Sequence, residues 1–303
     1  MSGMNGFEAR LREEVMSHPV LAGDPYTAWF ERGEASPSQA RAFLVQFSVF
    51  SNQFLVAQLK KMLNAESLEA MRESKEILAN EIGVGYRGRA RADDAELGGV
   101  TGSIEGGTFR FSAAHFELLV RTAAGLGLRF EDLGRRRFAT EATLHFCNEL
   151  VRLYGHEDYA VAEAASWAVE NWAAAGFWDR LVRGWAGFEA RRGASAKLDL
   201  RFFTWHARLE ANHASHTWDE LEQWCSGREV DEDAFVARAL EMLDAVSVFW
   251  NGLDRQRREI ATAERRERAS AARREAAAAE RAETVPSGRA ETAPAERNMH
   301  GAS

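Results

Sequence analysis

Residues 202–213 read Phe202-Phe203-Thr204-Trp205-His206-Ala207-Arg208-Leu209-Glu210-Ala211-Asn212-His213. In a helix, positions i, i+4 and i+7 fall within about 60° of one another. His206, Glu210 and His213 therefore form one stripe on one helix face. Two imidazoles and a carboxylate in a stripe make a ligand set of borderline hardness, suited to iron or manganese and also to zinc. The alternative is a solvated polar stripe, and the aromatic and apolar neighbours weigh against it.

The spacing narrows the chemistry. A zincin places its histidines four apart around a glutamate that is not a ligand, whereas these histidines are seven apart with Glu210 between them. A ferritin-like bundle needs two Glu-x-x-His motifs. Only Glu210-Ala-Asn-His213 fits, because Glu141/His145 and Glu14/His18 are spaced by four.

Outward from this segment the chain reads as helix almost throughout. No proline stands between Pro37 and Pro286, and apolar residues recur at three- and four-residue spacing. Helices are expected near 5–17, 38–63, 66–82, 113–126, 138–153, 158–188, 196–226 and 232–282, with no strand and no internal repeat. Residues 83–110 are glycine-rich and charged without helical period, so a long loop is expected there. From about Asp254 the chain turns to Ala, Arg and Glu, a helix polar all round that should project into solvent or fray. The domain plan is thus 1–253 as a helical domain, 254–282 as a polar helical extension and 283–303 as a disordered tail.

Further ligands must come from other helices. Glu81 lies beside the stripe of Met71, Leu78 and Ile82, and Glu170 shares a face with Trp167, Ala174, Phe177 and Leu181. A charge on an apolar face must be paired or metal-bound. Glu163, one heptad earlier, competes with Glu170 but is better read as a carboxylate near the helix start, where the dipole favours it. His115 follows Ser112 as an expected cap, with Phe111 stapled to Phe116, and points toward Leu118, Leu119 and Thr122. Any one of these alone reads as a core residue; three carboxylates and three imidazoles together suit two divalent metals with open positions.

The 303 residues are 46% apolar and 28% charged with a formal net charge of −8, which disfavours nucleic acid and anionic membranes as partners. Cys147 and Cys225 are too few for a disulfide framework or thiolate cluster. Met1–Val15 lacks an uninterrupted apolar core, and no later run approaches roughly 20 apolar residues, so a cytoplasmic protein is expected.

The order of these residues resembles the haem-oxygenase-like di-iron oxidases and oxygenases, over roughly residues 10–250. The resemblance rests on Glu81 closing an early helix, on His115 opening the stretch that ends Gly125-Leu-Gly-Leu128, on Glu170, and on His206-x3-Glu210-x2-His213. It implies an all-α, seven-helix bundle without haem, two Fe ions held by Glu81, His115, Glu170, His206, Glu210 and His213, and O2 as co-substrate. Two departures are the insertion at 83–110 and Glu210 where aspartate is common. No match to the glycine-rich distal helix of haem oxygenase is found, and His18 beside Pro19 is a poor axial ligand. The implied activity is oxidation of a small substrate, an amine or amino-acid derivative (N-oxygenation) in a biosynthetic pathway. Oxidative C–C or C–H cleavage of an amino or fatty acid on the same site is the alternative outcome. Arg121 and Arg208 are candidates to hold a substrate carboxylate, while Trp167, Trp172, Trp178 and Trp205 read as core. Expected partners are the substrate, an external electron donor and a second copy of the chain in a homodimer. Readings of another class are a cofactor-free or one-metal helical enzyme and a non-enzymatic helical binding module.

Overall fold

The computed structural model describes residues 2–86, 109–193 and 197–283; the side chains of residues 2–5, 85–86, 109–111, 209–217, 220 and 281–283 lie outside that description. Two compact units divide the chain, Met1–Ile260 and Ala261–Ser303.

Within the first unit the helices begin where the sequence offers a cap. Helices α1 (Ser2–Arg10), α2 (Pro19–Ala22) and α3 (Pro25–Phe30) are short, the first running on into a wide turn at Leu11–Val15. Helix α4 (Pro37–Leu63) starts from a capping box: Ser36 Oγ accepts from Gln39 N, Gln39 Oε1 accepts from Ser36 N, and Pro37 presets the first turn. Helix α5 (Leu68–Glu81) is capped by Ser67, and it is followed by strands β1 (Val84–Tyr86) and β2 (Phe109–Phe111), paired antiparallel with Val84 opposite Phe111. Helices α6 (His115–Ala124), α7 (Glu141–Leu153), α8 (Tyr159–Ala173), α9 (Phe177–Arg192), α10 (Arg201–Cys225) and α11 (Glu232–Glu283) complete the order.

Three expectations need correcting. Eleven α-helices stand among the described residues, not seven. The additions include the turns at Pro19 and Pro25 and a break in the helix expected over 158–188, where Gly176 adopts φ 84°, a left-handed conformation that ends α8 and starts α9. A two-stranded ladder exists where no strand was expected, closing the ends of the 83–110 segment; residues 87–108 lie outside the described residues. Ser112 does not cap α6, whose N-cap is Ala114 with its N–H donating to Glu117 Oε1. Residues 284–303, expected to be a disordered tail, also lie outside the description.

Helix α4 is the centre of the unit, packing against α5, α6 and α7, while α10 packs against α6, α8 and α9. By length and composition α4 could cross a membrane, yet half of its most apolar window is buried in the fold. Its polar side chains bond other elements: Gln46 bridges Phe138 O and Thr140 N, and Gln58 donates to Ser74 O. Such bonds mark a core helix. Around it Phe30, Phe43, Phe47, Phe50, Phe146, Trp172, Trp185, Phe249 and Trp250 form a continuous aromatic core with ring centroids about 5–6 Å apart. Within the first unit α11 contributes Phe235, Met242, Val246, Phe249 and Trp250 to the buried set.

Gly184 lets α3 lie against α9. A Cβ there would stand 2.4 Å from Phe30 O, a backbone atom that cannot swing aside. Gly184→Ala is expected to lower stability by about 1–3 kcal/mol through overpacking, read as a reduced urea midpoint at unchanged slope.

Candidate functional site

Three of the expected ligands converge. Glu81 ends α5, His115 begins α6 and His206 lies in the first turns of α10, and one ligand atom from each falls within 4.8 Å of the others. All three are largely buried. His115 Nδ1 stands 3.0 Å from Glu81 Oε1, so the imidazole donates to the carboxylate and its ring plane is fixed.

His206 is held more tightly still. Its Nδ1 is 2.7 Å from Phe202 O; a carbonyl only accepts, so Nδ1 carries a proton, and Nε2 is the ring nitrogen that would serve as a metal ligand. The ring stacks on Trp178 at 4.5 Å and 18°, touches Phe202, and meets the His115 ring edge-on at 4.9 Å. Aromatic packing therefore fixes the orientation of the ring.

The cluster opens onto a cavity of about 520 Å³ whose wall includes Glu81, His206 and Glu170. Helices α4, α5, α8 and α9 supply its walls: Phe47, Phe50 and Phe54 from α4, Val169 and Trp172 from α8, and Phe177 and Trp178 from α9. Glu170 is thus brought to the same space as the three clustered residues. The side chains of Glu210 and His213, and of His216, lie outside the described residues, although the backbone of α10 carries all three.

Several other expectations fall elsewhere. Arg121 and Arg208 are exposed and absent from the cavity wall, with Arg208 lying over the ring of the exposed Trp205. Trp167, Trp172 and Trp178 are buried, the last two in the cavity wall. Glu163 does not serve the start of its helix: it pairs with Lys61 in the cavity wall, Nζ to Oε2 at 3.1 Å. Lys61 escaped the sequence reading, although its spacing of seven from Phe54 and fourteen from Phe47 puts it on the same face of α4. Glu73, at the cavity rim, has its pKa raised by partial desolvation first and by the Glu163 charge second.

The cysteines take no part. Burial pushes the Cys147 thiol up to about 12 and that of Cys225 up to about 11, which suppresses the nucleophilic thiolate.

The fit of this set to a metal is chemical as well as geometric. Two imidazoles and a carboxylate crowded in a buried pocket are a recognised ligand set for iron, and the Glu81 carboxylate already stands 3.0 Å from His115 Nδ1 inside that pocket. The residues present fit a metal.

No family model and no curated protein matches the chain. Solved structures do. A TenA homolog from Pseudomonas syringae pv. tomato str. DC3000 is 16% identical with a TM-score of 0.51, over 84% of this chain and 92% of that one. A CADD-like protein of unknown function from Nostoc punctiforme PCC 73102 is 18% identical with a TM-score of 0.57, over 84% and 99%. A domain of unknown function with a heme oxygenase-like fold from Shewanella denitrificans OS217 is 13% identical with a TM-score of 0.52, over 84% and 92%. At these identities the likeness speaks for the fold alone, and the chain has the haem-oxygenase-like fold.

Proposed function

We propose that the chain is a non-haem iron oxygenase or oxidase that uses O2 to oxidise a small substrate, an amine or amino-acid derivative, in the cavity beside Glu81, His115 and His206. The observation that carries this reading is the buried convergence of those three side chains, two of which, Glu81 and His206, line a cavity large enough for a small molecule. Glu170 faces the same cavity, and Glu210 and His213 follow His206 on the same helical stripe. With these six, two irons could be held, Glu170 being one of the carboxylates that would hold them. Iron bound there would supply electrons to O2 and leave coordination positions for exogenous ligands.

The protein's own part is positional. Glu81 orients His115, Phe202 O fixes the tautomer of His206, and Trp172, Phe177 and Trp178 exclude water from the reacting end. Oxidative C–C or C–H cleavage would use the same arrangement. A one-iron centre is the second reading, favoured by Glu81, His115 and His206 forming a two-histidine, one-carboxylate set by themselves.

The test is an anaerobic Fe(II) titration of metal-free full-length protein, followed by mixing with O2 and visible spectroscopy, with His213→Ala as control. Two equivalents taken up, and a transient band that requires both and vanishes in the variant, are expected. One equivalent selects the one-iron reading. Neither iron uptake nor O2 consumption overturns both.

A further inference from the structure

The cavity has a second polar end, made by an ion pair. Lys61 of α4 and Glu163 of α8 meet there, with side chains only 9% and 12% exposed. Glu73 to Glu81 is eight residues along α5 and Glu163 to Glu170 is seven along α8. At 1.5 Å per residue, both helices separate this end from the clustered ligands by about 10–12 Å. Between the two ends the wall is mixed, with Phe50, Phe54, Val169 and Trp172 on one hand and Ser74, Asn80 and Ser166 on the other.

Stability does not account for the pair, because the desolvation of two charges largely cancels their attraction and apolar residues of similar volume would pack as well. Its unused bonding capacity is more informative. An ammonium has three donors, and among the described residues Glu163 is the one acceptor found for Lys61; the rings of Tyr154 and Tyr159 lie 5.4 Å and 5.7 Å from Nζ. Oε2 of Glu163 faces Lys61, and among the described residues no donor is found for Oε1. The wall therefore presents spare donors and a spare acceptor side by side, and both belong to residues that line the cavity.

We infer that Lys61 and Glu163 bind the head group of an α-amino acid, whose side chain extends along the cavity, past Phe50, Phe54 and Trp172, toward Glu81, His115 and His206. An amino acid carries a carboxylate and an ammonium on one carbon, matching a donor and an acceptor that stand 3.1 Å apart. Its carboxylate completes Lys61 and its ammonium completes Glu163, with Glu73 adding negative charge on the ammonium side. A plain carboxylate would meet Glu163 and Glu73 without compensation. A plain amine would bring a cation against Lys61 and leave the spare donors unanswered. The role of the distant end rests on the proposed oxygenase reading, whereas the binding itself needs no metal.

Isothermal titration of metal-free, full-length protein with L-norleucine, pentylamine and hexanoate tests this. The three probes share a straight chain and differ in the head group. L-norleucine is expected to bind at least 10-fold more tightly than either analogue, and this preference to disappear in Lys61→Met/Glu163→Leu, which removes both charges together and keeps its thermal transition. Equal binding of pentylamine or hexanoate, no binding of L-norleucine, or a preference that survives in the double variant overturns the assignment. Because no iron is present, failure here leaves the Fe(II) titration unaffected, and failure of that titration leaves this result standing.

Discussion

Lys61→Met alone lowers the stability of the protein by about 3 kcal/mol, because it strands the Glu163 carboxylate in a wall where its side chain is 12% exposed. The lower end of the range for buried pairs is expected, since the neighbouring cavity admits water. For a unit of this size such a loss corresponds to a fall in melting temperature of roughly 6–12 °C. Lys61→Met/Glu163→Leu leaves no uncompensated charge and restores the wild-type transition to within about 1 kcal/mol. The double-mutant cycle is therefore strongly non-additive. Additive losses, with the double variant weaker than Lys61→Met, would show that the stem packing of the two residues dominates and that their charges matter little.

His206→Leu is expected to weaken iron binding at least about 100-fold, beyond the 10- to 100-fold typical of losing an outer partner of a ligand. Leu keeps an apolar body against Trp178 and Phe202, which contact the wild-type ring at 4.5 Å and 4.4 Å. The thermal transition of the metal-free variant should accordingly stay within about 1–2 kcal/mol of wild type. Iron titration and calorimetry of the same sample separate the two effects. An unchanged affinity would remove His206 from the ligand set and with it the cluster on which the oxygenase reading stands.

How much of this was readable from the chain differs from element to element. The limits of α4 were legible because Ser36, Pro37 and Gln39 advertise a helix start. The break at Gly176 was not, since a lone glycine is tolerated inside helices and its φ of 84° exists only in the folded backbone. The ladder at 84–86 and 109–111 was lost because three-residue strands on either side of a long insertion carry no period to detect. Glu81, His115 and His206 stood out as polar groups in apolar company, and burial brings them together. Lys61 did not, because it looked like an ordinary surface residue of its own helix, and Glu163 was read as a carboxylate serving the helix start; only the packing of α4 near α8 reveals the pair. Arg121 and Arg208 were read for their charge, but nearness in sequence to the site helices did not place them in the cavity.

Helix α5 supplies Glu81 to one end of the cavity and Glu73 to its rim, yet within Leu68–Glu81 only Ala70 and Ser74 are buried, while Leu68, Met71 and Ile77 lie exposed. Its neighbour α4 buries thirteen side chains. A helix with so few buried side chains is expected to open locally at less than the global unfolding free energy, a difference that amide hydrogen exchange of Leu68–Glu81 against Pro37–Leu63 would read. The cavity is thus bounded on one side by the rigid centre of the molecule and on the other by a wall whose detachment would admit a guest and dismantle the Glu81–His115 contact in one motion.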